Sequence, residues 1–372
     1  MSNRFLGSIR KDYNKDVDKT RNFEKSKKFF SMSERSEYTL DDQTWDDLDM
    51  NKVYGKLDRS YSSPGEASLY SMLRNPLMKE EKLKARGKLI NSIKENSKLR
   101  ETLQCIFFVL NSDTKNSFLD MIETDLIINR PKYYVYTILG KVLPAIAILF
   151  SIFVNPKYMI ALFAISSINM LINSTEVRAI KSNGIFYLQK NIKAAKKIAG
   201  INDKEIIYYK DKIKTLLKGM KDIDLSTKTI GVINMWGGAF EFISVIFLLE
   251  ETTYYSISHK IKREKEALMD LYYIVGELEA LISISGYEHN LKEQCVKPKF
   301  TKNITLNIKD GIHPLIENAV PNSINIKNGG IVLTGTNMAG KSTFLRMMGV
   351  NIILAQSFNF VLAKDYEAPF FN

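Results

Sequence analysis

Cysteine and histidine are almost missing from this chain. Two cysteines, Cys105 and Cys295, and three histidines, His259, His289 and His313, are scattered over 372 residues. That excludes a disulfide framework and a thiolate or imidazole metal cluster, and it fits a reducing, cytosol-facing compartment. Long apolar runs are absent from the first 100 residues, so no cleavable signal is expected there. Acid is in short supply as well: 53 Lys and Arg stand against 41 Asp and Glu, a net charge of +12. The surplus is local. Between Asn173 and Lys228, thirteen basic residues face six acidic ones. Such a segment suits an anionic surface, either nucleic acid or the cytoplasmic lipid leaflet. What precedes it favours lipid.

Hydrophobic residues make up 45% of the chain, enough for a sizeable core, and its length leaves room for two or three domains. Tyr134–Val154 is an apolar run of 21 residues with one charge, Lys141, and one proline, Pro144. Asn155-Pro156-Lys157 makes a turn, and Tyr158–Ile172 is a second, uncharged run. A spanning helix needs about 20 such residues. Arg130 and Lys132 precede the first run and the basic segment follows the second. Both flanks are therefore expected on the cytoplasmic side, with the turn outward. This is a two-helix, multi-pass arrangement in a cell membrane, the competing arrangement being a buried helical hairpin. A third apolar stretch, Ile230–Leu249, carries Glu241 near its centre. An acid at mid-membrane costs roughly 2.5–3.5 kcal/mol, so a buried or interfacial helix is expected there.

Residues 1–60 are polar and weakly patterned, with Trp45 and Leu48 as apolar anchors among five aspartates (Asp41, Asp42, Asp46, Asp47, Asp49). They read as an extended tail docking onto a later domain. Ser62-Ser63-Pro64-Gly65-Glu66 signals a helix start, with Ser63 as cap, Pro64 at the first helical position and Glu66 three residues after the cap. Helical patterns continue over 79–110 and 118–128. Leu268, Leu271, Val275, Leu278 and Ile282 recur at spacings of three and four, which predicts a long amphipathic helix with Ser258 as a possible cap and Pro298 as its stop. Thr301–Ile308 alternates as a strand.

Ile331-Val-Leu-Thr334 predicts a short buried strand, and Phe344 opens an apolar helix. Between them lie Gly335, Thr336, Asn337, Met338, Ala339, Gly340, Lys341, Ser342 and Thr343, which match G-x-x-x-x-G-K-[ST] at every fixed position. Glycines let successive N–H groups turn toward phosphate oxygens, and the helix start adds its positive dipole end. Lys341 is placed to reach the β- and γ-phosphates of ATP, and the Ser342 hydroxyl to hold Mg²⁺.

The run Thr334-Gly-Thr-Asn337-Met338-Ala-Gly-Lys341-Ser-Thr-Phe-Leu-Arg346 resembles the ATPase loop of MutS-type mismatch-repair proteins, usually T-G-P-N-M-G-G-K-S-T. His313-Pro314-Leu-Ile with Val320-Pro321-Asn322, Ile274-Val-Gly-Glu277-Leu-Glu279, and Ser63-Pro-Gly65 through Asn75-Pro76-Leu77 and Arg86 resemble other segments of that family. Thr336 and Ala339 depart from the usual Pro and Gly, and Glu279 stands where the family often has Asp. No Phe-x-Glu mismatch-reading triplet occurs. The resemblance covers roughly 60–130 and 255–372. It implies a membrane-associated MutS-related branch lacking the mismatch-reading domain, with ATP and Mg²⁺ as cofactors and Asn337 near the γ-phosphate. It further implies a homodimer through the complete ATPase domain and DNA as a possible partner, while the apolar hairpin and the basic segment add membrane lipid.

The family's Asp-Glu strand and signature segment do not follow Ser342, so the expectation is a truncated product, fragment or split reading frame that does not hydrolyse ATP alone. The expected fold is mostly α: a helical core and lever with a transmembrane helical hairpin, followed by the start of an α/β phosphate-loop ATPase domain. Its divisions are a polar tail over 1–60, a MutS core-like helical segment over 61–133, the hairpin over 134–173, a basic helical segment plus the apolar helix over 174–257, a lever-like helix over 258–300 and an incomplete ATPase domain over 301–372.

Overall fold

The computed structural model describes residues 3–13, 15, 19, 21–33, 38–123, 129–181, 184–225, 238–291, 294–327, 329–336 and 340–371. The chain is mostly helical with one small mixed sheet. It divides into two compact units. The first comprises Met1–Ser112, Asn202–Tyr209 and Tyr273–Asn372, the second Asp113–Ile201 and Lys210–Tyr272.

In the first unit the axis is the later part of the long helix Lys265–Leu291. Its stripe falls as the spacing predicts, with Leu268, Leu271, Val275, Leu278 and Ile282 all buried. The helix begins after Glu264 and ends before Pro298; Ser258 lies inside the preceding helix Leu249–Arg263, where its hydroxyl donates to the Tyr255 carbonyl. Against the axis lies the helix Ser63–Arg74. The two cross so closely that a Cβ on Gly276 would collide with the Pro64 carbonyl, and one on Gly65 with the Glu279 carboxyl. Glycine is required there for approach, at some cost in helix propensity. The cap is Ser62, one residue earlier than expected, and its hydroxyl accepts from Gly65 N at 3.3 Å. Glu66 does not close a capping box but pairs with Lys19 at 3.0 Å.

The described part of residues 1–60 is not an extended tail. It forms the helices Asn3–Tyr13, Phe23–Met32, Asp42–Asp47 and Met50–Leu57. The cause is aromatic packing: Trp45 stands 4.7 Å from Tyr70, and the Arg74 guanidinium lies over Trp45, Phe30 and Tyr70 at 5.0, 5.1 and 5.7 Å. Burial of such rings offsets the ordering of an otherwise polar segment.

The sheet runs β1 (Lys299–Phe300), β4 (Asp365–Ala368), β2 (Thr305–Gly311), β3 (Asn322–Lys327) in spatial order. β1 pairs with β4 in parallel; β2 is antiparallel to both neighbours. Ile308, Ile324, Tyr366 and Ala368 pack it onto Phe344, Met348 and Ile352 of the helix Lys341–Phe358. The strand expected over 301–308 is thus shifted to Thr305–Gly311. Ile331–Thr334 corrects a further expectation, for it belongs to no strand, and Val332 is 87% exposed. A strand buried on both faces needs neighbours on both edges, and none of the four strands pairs with this run.

The second unit contains the hairpin. Arg130–Phe153 and Pro156–Glu176 are each long and apolar enough to cross a membrane, their most apolar 18-residue stretches having mean hydropathies of 2.0 and 1.4. Asn155 caps the turn by accepting from Lys157 N at 2.9 Å. Within the first helix, Ile138–Val142 widens into a π-turn. Pro144 follows and has no N–H to return, so the wider turn absorbs the misfit. Gly140 sits in that turn because a side chain would strike the Phe247 carbonyl. Large apolar side chains point outward along both helices; Phe153 and Phe163 are 79% and 76% exposed.

The third apolar stretch falls partly outside the described residues, including 230–237 and the Glu241 side chain; its remainder forms the helix Gly238–Ile246. Buried Asn169 joins it to the hairpin by donating to Leu139 O at 3.0 Å and Ile246 O at 2.6 Å. At the open end, Glu176 accepts from Lys132 and from the Tyr136 and Tyr255 hydroxyls, each at 2.9 Å. Tyrosines and a lysine gathered at the mouth of an apolar hairpin are the side chains favoured at a membrane–water boundary.

Candidate nucleotide site

The helix Lys341–Phe358 begins with Gly340 at φ +76°, and no side chain caps it. A Cβ on Gly340 would meet nothing, so glycine is required here by conformation and not by space. The first-turn N–H groups thus have no competing side-chain acceptor at the cap, and an anion fits that position. Lys341 lies back over the loop, its ammonium donating to the Gly335 carbonyl and to the Thr336 carbonyl at 3.1 Å. Ser342 and Thr343 are exposed in the first turn. Asn337, Met338 and Ala339 lie outside the described residues.

Beside the loop is a cleft of about 470 Å³ lined by His313, Ile316, Val320, Thr334, Lys341 and Thr343, among others. This volume suits a drug-sized or nucleotide-sized ligand. Its walls mix apolar groups with the lysine and a nearly buried histidine. His313 Nδ1 accepts from Leu315 N at 3.2 Å. Burial first, then the nearby Arg346 charge, pushes the His313 pKa down, so the ring is neutral near pH 7.

Asn351 latches this wall to the helix: its amide donates to Ile312 O at 3.2 Å and accepts from Leu362 N at 2.7 Å. Sequence reasoning passed over Asn351, although a lone asparagine on the apolar face of a helix is a signal for a buried hydrogen-bonding role. The far end of the same helix is also tied. Arg86 donates to the Ser357 carbonyl at 2.7 Å and approaches Glu277 of the long helix at 3.5 Å. A cation at a helix C-terminus is favoured by the dipole. Arg86 thereby joins the loop's helix to the axis of the unit.

No family model matches the chain. Over a third of its length, however, it has curated relatives. The similarity is to MutS. The DNA mismatch repair protein MutS of Thermus thermophilus is 33% identical over 126 residues, 33% of this chain and 15% of the relative. Its counterpart in Thermotoga maritima is 34% identical over 130 residues, covering 33% of this chain and 16% of the relative. That of Fusobacterium nucleatum is 31% identical over 135 residues, covering 34% and 15%. These matches support the MutS family for a third of the chain, which spans about 15% of the length of those relatives.

Proposed function

We propose that this chain carries the phosphate loop and lever of a MutS-related, nucleotide-driven switch held in a cell membrane by its hairpin, with the nucleotide side cytoplasmic. One observation carries the reading: Lys341 stands over its glycine loop at the head of a helix whose other end is bound through Arg86 to Glu277 of the long helix. ATP with Mg²⁺ supplies the negative charge and the metal. Lys341 holds phosphate oxygens, the Ser342 hydroxyl holds the metal, and the first-turn N–H groups add their partial charge. Phosphates that draw Lys341 from the Gly335 and Thr336 carbonyls order the loop against the start of a rigid helix. Arg86 links that helix to the long helix. A second copy of the complete ATPase domain is the proposed partner across the nucleotide.

Membrane anchoring is supported by the outward apolar faces of the hairpin, since an exposed apolar surface of this extent needs a non-aqueous neighbour. In bacterial cells the chain is expected to stay with the membrane pellet after alkaline carbonate extraction. A Leu149→Lys, Phe163→Lys double variant should move to the supernatant. Full extraction of the unaltered chain would sink the anchor.

A second reading has one specific observation in its favour, the lysine-rich face of the helices Ile185–Ala199 and Ile207–Gly219. Lys193, Lys197, Lys214 and Lys218 are exposed there, and the relatives are named for DNA mismatch repair. If DNA is the ligand, duplex affinity falls steeply with salt, with a log–log slope of about −0.9 per phosphate contact. If lipid is the ligand, vesicles containing phosphatidylserine displace labelled duplex from the full chain. The lipid outcome is expected.

A further inference from the structure

Arg346 lies five residues beyond Lys341 on the loop's helix, and the N-terminal segment holds it. Its Nε donates to the Asp47 carbonyl at 2.7 Å, and its guanidinium pairs with the Asp49 carboxylate at 2.8 Å. Leu48, between them, lies against Gly349: a Cβ there would come within 2.7 Å of the leucine methyl. A glycine in mid-helix lowers helix propensity, and here the packed leucine takes the side chain's place. Asp49 itself adopts φ +53°, a conformation that L-residues rarely hold. It also heads the helix Met50–Leu57 without giving that helix a side-chain cap. An aspartate there ordinarily caps; this one is turned to Arg346 and Lys52. Local stability is forgone for a contact roughly 300 residues away in sequence, as the separation of 299 between Asp47 and Arg346 records.

The other end of the segment is bound to the helical core. Asp42 pairs with Arg74, the Asp41 carbonyl accepts from Arg74 at 2.9 Å, and Trp45 is buried beside Tyr70. None of these residues lines the cleft, so the segment does not block it. It fixes the position of the helix that starts at the phosphate loop. The pair it forms with Arg346 is partly exposed on both sides, with side chains 39% and 30% accessible. Such a pair is weak by itself and easily shifted.

We propose that residues 41–49 are a strap whose docking onto Arg346 and Gly349 is coupled to nucleotide binding at Lys341. This rests on the nucleotide reading above. A docked strap holds the helix start in place and reduces the ordering that a bound triphosphate must impose. The coupling is therefore positive, and by linkage it runs both ways: the strap tightens nucleotide binding, and nucleotide protects the strap.

The test uses the full chain in lipid nanodiscs with Mg·ATP as the probe. Saturating Mg·ATP is expected to slow amide exchange across 41–57 at least fivefold in the unaltered chain and to leave it unchanged in Lys341→Ala. Asp49→Asn and Arg346→Gln should each weaken Mg·ATP binding at least threefold. The double variant should be no weaker than the poorer single one, because both break the same contact. If Mg·ATP binds but exchange over 41–57 does not slow, the strap is refuted and the nucleotide site stands. If Mg·ATP does not bind the unaltered chain, both fall together.

Discussion

Lys341→Ala is expected to lower the affinity of the full chain for Mg·ATP about 100-fold, roughly 2.7 kcal/mol. The magnitude follows from what the side chain can do. An ammonium shared between two phosphate oxygens makes charge-assisted hydrogen bonds, each contributing about 1.5–3 kcal/mol. Part of that gain is offset by the bonds Lys341 already makes to the Gly335 and Thr336 carbonyls. Those carbonyls are exposed, so water takes the ammonium's place in the variant, and folding stability should change by less than about 0.5 kcal/mol. Titration calorimetry together with thermal unfolding separates the two quantities. An unchanged dissociation constant removes the nucleotide reading. A collapse of stability would mean that Lys341 serves the loop's structure and not a ligand.

The parts legible in the sequence are those that local information decides. The hairpin was readable because length and hydropathy are properties of a continuous run, and Asn155-Pro156-Lys157 marks its turn without help from elsewhere. The long helix was readable because its stripe is periodic over many residues. The helix that follows the glycine loop was equally plain. Failures begin where a distant partner decides. Ile331–Thr334 has the composition of a buried strand, but composition cannot provide a neighbour to pair with. The N-terminal 60 residues have too little apolar content to read as folded, yet Tyr70 and the Arg74 guanidinium pack against Trp45. The local signal puts the cap at Ser63, one residue after the actual cap Ser62. Ser63 and Ser62 are equivalent by local rules, and the choice is made by Glu279, 217 residues away. Of the candidate site, the sequence proposes Lys341 and the flanking glycines. Arg346, Asn351 and the aspartates that hold the helix from outside are not among them, because their roles exist only once the chain is folded.

Glu279 supplies the second large effect. Its carboxyl is fully buried where the long helix meets the start of Ser63–Arg74. One oxygen accepts from Tyr61 N at 2.6 Å and Ser62 N at 3.2 Å, and the other is bonded to the Ser62 hydroxyl. Burial pushes its pKa from the ordinary 4.5 up to about 8, against the opposing pull of those donors. A carboxyl with a folded-state pKa above its unfolded value favours the folded chain in its protonated form. That contribution is complete below about pH 4 and is lost as pH rises to about 8, up to roughly 5 kcal/mol in all.

Glu279→Gln reproduces the protonated group, with one acceptor for the two N–H donors and an amide to donate to the Ser62 hydroxyl. The glutamine variant should therefore match the unaltered chain below about pH 4 and exceed it in stability by several kcal/mol near pH 9. Taking the difference between the two cancels every other titrating group. Glu279→Ala should be less stable than the glutamine variant at all pH values by about 2–4 kcal/mol, since it strands the Tyr61 and Ser62 N–H groups and leaves a cavity. Denaturant unfolding between pH 4 and 9 measures all three. Parallel curves for the unaltered and glutamine chains would show that the three donors keep the carboxylate ionised throughout. The joint between the long helix and the helix Ser63–Arg74 would then rest on a buried charge and not on a shared proton.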